Sequence, residues 1–284
     1  MTIAMKLMGG LGNQLFQIFT VMAYGIEHSV PFVFEYRKQL NERKTYWDTF
    51  LCWIQHYTNM DTNLGSSLCT NRIISMMPVY KEPVFAYRPI PDIQSNFRLE
   101  GYFQSYKYFH KHAETLFRWI HLREQQTAVL AEFSDLYQTT TVGVHFRLGD
   151  YKKLPQYHPI LPVDYYIRSI QYILGDLDQP VSFLCFFEEE DGNEVRTIIR
   201  QLESLFPLCS FVCVNTTIVD WKQMLMMSCC HHQIIANSSF SWFSAYFNAN
   251  PDKIVCYPSI WFGPQLAHHD VSDMCMESWH KTIF

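Results

Sequence analysis

Charge is what this chain has least of. Only 17% of its 284 residues are Asp, Glu, Lys or Arg, where an ordinary globular chain has about a quarter. The net charge is -5 and Lys and Arg never form a run, so the basic stripe that draws a protein to nucleic acid is missing. Nucleic acid is excluded as a partner. No uninterrupted apolar stretch reaches the length that a membrane-spanning helix needs. The chain opens on a strand-like segment instead of a basic stretch followed by an apolar one, so no secretory leader is expected and the expected location is cytoplasmic. A peripheral contact with a membrane surface stays open. Gly-x-Ser-x-Gly, a P-loop and Cys-x-x-Cys are all absent, which removes the commonest hydrolase, nucleoside-triphosphatase and thiol-redox readings.

Metal-ligand spacing is also poor. Cys229-Cys230-His231-His232 has the atoms zinc uses but lacks the gap that lets such side chains converge. Asp176-Leu177-Asp178 spells the acid-x-acid pattern by which many sugar transferases hold a divalent metal. It lies between the helix-ending Gly175 and Gln179-Pro180, where a surface turn is the better reading, and no metal is expected. His268-His269-Asp270 reads as solvated or subunit-contacting. The nine cysteines are odd in number and irregularly spaced. Several, such as Cys185, Cys213 and Cys256, sit in apolar or β-like segments, which fits buried free thiols in a reducing compartment better than a disulfide framework.

What is present is a hydrophobic content of 48% with 16% aromatics, enough for well-buried cores. The length suits two domains, with a break expected near residue 135. Ile3 to Met8 reads as a strand, Gly9-Gly10-Leu11-Gly12 as a tight turn, and Asn13 as the cap of a helix in which Leu15, Phe16, Phe19, Met22, Ala23 and Ile26 recur at helical spacing. Pro31 to Phe34 starts a second strand. Trp47, Phe50, Trp53, Ile54 and Tyr57 could line a helical face, either as core or as a sugar platform. Leu99 to Phe109 reads as a short strand and an aromatic helix start, and Ala113 to Phe133 as one helix with Leu116, Ile120 and Leu130 in the core. Beyond it, strands at Thr140 to Val144, Val181 to Phe187, Phe211 to Val214, Gln233 to Ala236 and Ile254 to Tyr257 alternate with helices. That alternation implies parallel βαβ units.

Chemistry concentrates at Val142 to Tyr151, VGVHFRLGDY. His145, Arg147 and Asp150 fall at or just past a strand's carboxyl end, where open α/β sheets bind ligands. A guanidinium fork, a carboxylate to orient it and an imidazole suit a phosphate. A strand-end salt bridge between Arg147 and Asp150 beside a surface histidine is an equal reading. Gly10 and Gly12 can let backbone amides approach an anion at a helix start, or can simply make a tight turn. The dinucleotide fingerprint would need its third glycine at Leu15, although Glu35 imitates its ribose-binding acid. Ser238, Ser239 and Ser241 stand at a strand-to-helix junction, either to hold a pyrophosphate or to cap the helix. Glu188 to Asp191 reads as a solvated helix entrance.

Taken together, GGLGNQLFQ at Gly9 to Gln17, GYFQSYKYF at Gly101 to Phe109, HFRLGDY at His145 to Tyr151, DWKQMLMMSCCHHQIIANSSFSWF at Asp220 to Phe243 and YPSIWF at Tyr257 to Phe262 resemble the α-1,2-fucosyltransferases. The likeness is to their soluble bacterial or viral form and, more loosely, to the protein O-fucosyltransferases. The resemblance implies an α/β enzyme of two Rossmann-like lobes, the GT-B type. Residues 1–135 would form an acceptor-side lobe whose glycine turn faces the donor, and residues 136–284 the GDP-fucose-binding lobe. It implies a galactoside 2-α-L-fucosyltransferase that moves fucose from GDP-fucose to a galactose-containing glycan, with inversion and with neither metal nor cofactor. By position, Arg147 would bind the donor pyrophosphate and stabilise departing GDP, Asp150 would orient Arg147, and Asn13 would contact the donor from the facing lobe beside Gly10 and Gly12. Ser238, Ser239 and Phe240 would hold the phosphates, with His145 and Asp220 near the nucleoside or positioning the site. Leu148 stands where the family usually has a second Arg, and Glu188 to Asp191 replaces an Asp-rich segment. The rival readings are a nicotinamide-dependent oxidoreductase built on the glycine turn and Glu35, and a non-catalytic sugar-nucleotide-binding protein.

Overall fold

The computed structural model describes residues 1–59, 71–175 and 180–284. The chain forms two compact α/β units, Met1–Arg123 with Asp270–Met274, and Glu124–His269 with Cys275–Phe284.

Unit 1 contains β1 (Ile3–Met5), α1 (Leu11–His28), β2 (Phe32–Phe34), β3 (Gln39–Leu40), β4 (Arg43–Lys44), α2 (Asn71–Met76), β5 (Val79–Lys81), β6 (Phe97–Glu100) and α3 (Ala113–Trp119). Its main sheet runs β2-β1-β6-β5 with every pairing parallel, Ile3 facing both Phe32 and Phe97. α1 is buried over most of its length, with Leu15, Phe16, Ile18, Phe19 and Met22 all fully shielded. Phe16 and Phe19 meet Phe109 at centroid distances of 5.9 and 5.6 Å, which explains the helical spacing of those aromatics as core packing. Trp47, Phe50 and Ile54 are likewise core, while Trp53 is exposed and stacks on His121.

The helix expected over Ala113 to Phe133 is broken. α3 stops at Trp119, His121 takes a left-handed φ of 52°, and α4 (Leu122–Glu132) restarts. Leu116 and Ile120 pack in unit 1, whereas the buried Gln126 of α4 donates to Ser228 Oγ and the Phe247 carbonyl of unit 2, at 2.9 and 3.1 Å. That docking carries the division forward to Arg123, ahead of the break expected near residue 135. Leu130, expected in the core, faces outward.

Unit 2 continues with β7 (Thr140–His145), α5 (Val163–Leu174), β8 (Val181–Phe186), α6 (Gly192–Leu205), β9 (Ser210–Cys213), α7 (Asp220–Ser228), β10 (His232–Ile234), α8 (Ser239–Phe247), β11 (Val255–Pro258) and β12 (His280–Thr282). Its six-stranded sheet is parallel throughout, in the order β12-β11-β10-β7-β8-β9. β7 and β8 are almost entirely buried on both faces, as a sheet covered by helices on either side requires. The expected α/β class with parallel sheets is what the chain adopts. Cys185, Cys230, Cys256 and Cys275 are buried free thiols, but Cys213, at the sheet edge, is exposed. Among the described residues no helix is long and apolar enough to cross a membrane.

Strand order fixes where a ligand can sit. From β7 the chain winds outward through β8 and β9, then returns to place β10 on the other side of β7. The carboxyl ends of β7 and β10 therefore flank the topological switch point, the crevice where open α/β sheets bind ligands. In unit 1 the carboxyl ends of β1 and β6 lie side by side.

Candidate active site

In unit 2 the loop after β7 meets the loop after β10. Arg147 is held on both sides of its fork: one terminal nitrogen donates to Glu188 and the other to Asp150. Its guanidinium lies 5.0 Å from the Tyr151 ring centroid, a cation–π contact that adds to its positioning. Burial pulls down the Arg147 pKa while Glu188 and Asp150 more than offset it, so the charge is held firmly. Tyr151 in turn donates its hydroxyl to the Asn237 carbonyl at 2.9 Å, tying the two loops together. Asn237 donates to the carbonyls of Pro159 and Trp261, at 2.9 and 3.2 Å.

The acidic run after β8 is solvated only in part: Glu189 and Glu190 are exposed, but Glu188 and Asp191 turn toward the β7 loop. Asp191 is fully buried and accepts the Gly149 N–H at 2.6 Å; Lys152 lies 2.8 Å from its other oxygen and 2.6 Å from Glu194. Gly149 has a φ of +33°, and a Cβ there would run into Glu188. Glycine is needed because the turn presses against the carboxylate that holds Arg147.

His145 ends β7 in the core instead of on the surface, its ring 5.2 Å from that of Phe240. Burial, reinforced by the Arg147 charge, lowers its pKa to about 3, so it is neutral. Its Nδ1 is buried and makes no hydrogen bond among the described residues. Ser238 caps α8 by accepting the Phe240 N–H at 3.3 Å. Ser241 is buried, and its hydroxyl accepts the Ala236 N–H at 3.2 Å; it braces the loop. Ser239 and Phe240, in the first turn, are only half-buried.

In unit 1 the turn after β1 is pinned by two buried glutamines. Gln17 bonds both backbone groups of Met8, at 3.0 and 2.8 Å, and Gln14 donates to the carbonyls of Gly9 and Lys44, at 2.9 Å each. Asn13 does not cap α1. The helix begins at Leu11, its N-cap is Gly10 with no side-chain cap bond, and Asn13 lies inside the first turn with its Oδ1 accepting from Gln104 Nε2 at 2.6 Å.

The family described as "Glycosyl transferase family 11" matches residues 81–279, which takes in the Arg147 loop, the acidic run, the Ser238 cap and Gln104. The chain belongs to glycosyl transferase family 11. This glycosyltransferase is 27% identical to the α-1,2-colitosyltransferase of Escherichia coli, over 96% of each chain. It is 32% identical to the O-antigen biosynthesis glycosyltransferase WbnK of the same species, over 49% of this chain and 43% of WbnK; that match spans less than half of the relative's length. The fucosyltransferase NodZ from Bradyrhizobium is similar in structure at a TM-score of 0.46, with 13% identity over 86% of this chain and 92% of that one.

Within this family 11 enzyme, His145, Arg147, Asp150, Ser238, Ser239 and Phe240 gather at the unit 2 switch point. Asp220 starts α7, where its carboxylate accepts the Trp221 N–H at 2.8 Å. Gly10, Gly12 and Asn13 lie together after β1, at the N-cap and in the first turn of α1. Leu148 is buried in the core cluster with Phe146 and Leu161 and takes no part in the Arg147 network. Glu35 is buried and paired with Arg37 at 2.9 Å, so its carboxylate is not presented as a ribose ligand would be. Sequence reasoning missed Glu188, Asp191, Gln14, Gln17 and Gln104. Among the described residues no group of three or more His, Cys, Asp or Glu could hold a metal ion; Asp176-Leu177-Asp178 lies outside them.

Proposed function

We propose that this glycosyltransferase moves L-fucose from GDP-fucose to the 2-hydroxyl of a galactosyl residue in an acceptor glycan, with inversion and without a metal. Unit 2 takes the donor and unit 1 serves the acceptor side. The observation that carries the donor assignment is Arg147, fixed by Asp150 and Glu188 at the unit 2 switch point beside the amide-rich first turn of α8. As the bond from sugar to phosphate breaks, negative charge grows on the departing diphosphate. A preoriented guanidinium and the positive end of the α8 helix dipole meet that charge without reorganising, which is how such sites lower a barrier. Ser238, Ser239 and Phe240 shape the anion's seat. Neutral His145 offers an imidazole without adding charge, and Asp220 bounds the nucleoside side. Asn13, with Gly10 and Gly12, acts on the donor oxygen whose charge grows on departure.

A second reading has its own support. The relative that spans nearly the whole chain transfers colitose in an α-1,2 linkage, so the same chemistry with nucleotide-activated colitose is the alternative donor. The purified chain is to be incubated with each nucleotide sugar and a panel of galactosyl acceptors, with product mass and linkage read by mass spectrometry. A 1,2-linked fucosyl product supports the first reading and a 1,2-linked colitosyl product the second. Donor binding with no product from any acceptor would mean a sugar-nucleotide-binding protein without turnover.

A further inference from the structure

An aspartate directly before a helix ordinarily turns its carboxylate to the first amides of that helix. Asp191 stands at the N-cap of α6, yet its side chain makes no cap bond there. The carboxylate points back to the loop after β7, where one oxygen accepts the Gly149 N–H at 2.6 Å and the other lies 2.8 Å from the Lys152 ammonium. The residue is fully buried. Gly149 and Lys152 belong to one short 3₁₀ turn, Gly149–Lys153. A single carboxylate therefore grips that turn at its first residue and again toward its end.

The turn so held carries two neighbours of Arg147. Asp150 takes one terminal nitrogen of the guanidinium, and the Tyr151 ring centroid lies 5.0 Å from the guanidinium carbon. Glu188 takes the other nitrogen, and Asp191 reaches Glu188 through the backbone: the Asp191 N–H donates to the Glu188 carbonyl at 3.0 Å, closing the turn between them. Asp150, Tyr151 and Glu188 are thus each tied to Asp191 at one remove. The Gly149 bond also holds the β7 turn where it presses on Glu188, since a Cβ on Gly149 would strike that carboxylate. We infer that Asp191 is a positioning residue of the donor site: it keeps the β7 turn and Glu188 in one register and so fixes the direction in which the Arg147 guanidinium faces the diphosphate. This rests on the assignment of the Arg147 crevice to the donor made above.

A double-mutant cycle in GDP affinity separates the two claims. Wild type, Asp191→Ala, Arg147→Ala and the double variant are titrated with GDP by calorimetry, and thermal unfolding is followed on the same preparations. Asp191→Ala should weaken GDP binding about three- to tenfold, the worth of one hydrogen bond, with no further effect in the Arg147→Ala background, because it acts through Arg147. Asp191→Asn keeps an oxygen for the Gly149 N–H but loses the charge that faces Lys152. It should recover most of the affinity while its melting temperature stays below that of the wild type, a separation that a merely structural aspartate would not give. If the Ala variant does not fold, Asp191→Ser takes its place in the cycle, since serine suits the N-cap of α6 but its hydroxyl is too short to reach Gly149. Unaltered GDP affinity in Arg147→Ala would overturn the donor assignment and this inference with it. With the Arg147 effect intact, unaltered affinity in Asp191→Ala, equal losses in both backgrounds, or no recovery by Asn would overturn the role of Asp191 and leave the donor site standing.

Discussion

Arg147 is the residue on which the account turns, and its surroundings set what its loss should do. Its side chain is only 15% exposed and is shared by two carboxylates that are themselves 42% and 43% exposed. Arg147→Ala leaves Asp150 and Glu188 facing each other without their cation, but both keep water, so a modest drop in melting temperature is expected, not unfolding. Transfer should fall about 100-fold or more, as for removal of an oxyanion-stabilising donor. Arg147→Lys should fail as well, because one ammonium cannot hold Glu188 and Asp150 apart while facing a ligand. Retention of more than half the wild-type rate in either variant would remove Arg147 from the chemistry. His145 gives a pH prediction at the same scale. Burial lowers its pKa from 6.5 to about 3, so between those values the unfolded chain binds a proton that the folded chain refuses. Its contribution to stability is complete above about pH 6.5 and is lost as the pH falls toward about 3. The difference in melting temperature between wild type and His145→Gln should therefore shrink on acidification; a constant difference from pH 7 to pH 4 would contradict the buried neutral imidazole.

At the scale of elements, two glycines mark where loops and helices are pressed together. Gly143, in β7, would place a Cβ 2.7 Å from Met227 Cγ and 3.3 Å from Cys230 Sγ. Gly143→Ala should overpack β7 against α7 at a cost of about 1 to 3 kcal/mol without touching Arg147. Gly149→Ala combines a left-handed backbone with a collision against Glu188, so it should cost about 1 to 3 kcal/mol and also displace the carboxylate that holds Arg147. Chemical denaturation and kcat together distinguish the two: stability alone falls in the first, both in the second. Equal kcat losses would show that Glu188 has no role in presenting Arg147. Strands and helices were mostly legible in the sequence because burial on both faces of β7 and β8, and on the long face of α1, leaves runs and periods of apolar residues. The exceptions have physical causes. An acidic run looks the same whether it is solvated or turned inward, and only the fold brings Glu188 and Asp191 to the β7 loop. A glycine turn has no side chain to mark its end, which is why Asn13 reads as a cap when Gly10 takes that position. Gln104 and Asn13 are paired by the sheet order alone.

For the whole molecule, the doubly wound order of the unit 2 sheet explains why residues far apart in sequence, Arg147 and Ser238, share one crevice: they follow the two strands at which the winding reverses. In the proposed reaction, the guanidinium and the α8 N-terminus gathered there would meet the departing diphosphate. A chelator should accordingly leave transfer essentially unchanged; loss of activity restored specifically by manganese or magnesium would contradict metal-free transfer and direct attention to Asp176 and Asp178. The central claim, that the crevice around Arg147 is the donor-diphosphate site, is tested most directly by calorimetric titration of GDP into wild-type protein and Arg147→Ala, with transfer rates measured on the same preparations. The account predicts saturable GDP binding by the wild type, clearly weaker binding by the variant and near-complete loss of its transfer. Unaltered GDP affinity together with unaltered transfer in Arg147→Ala would contradict it.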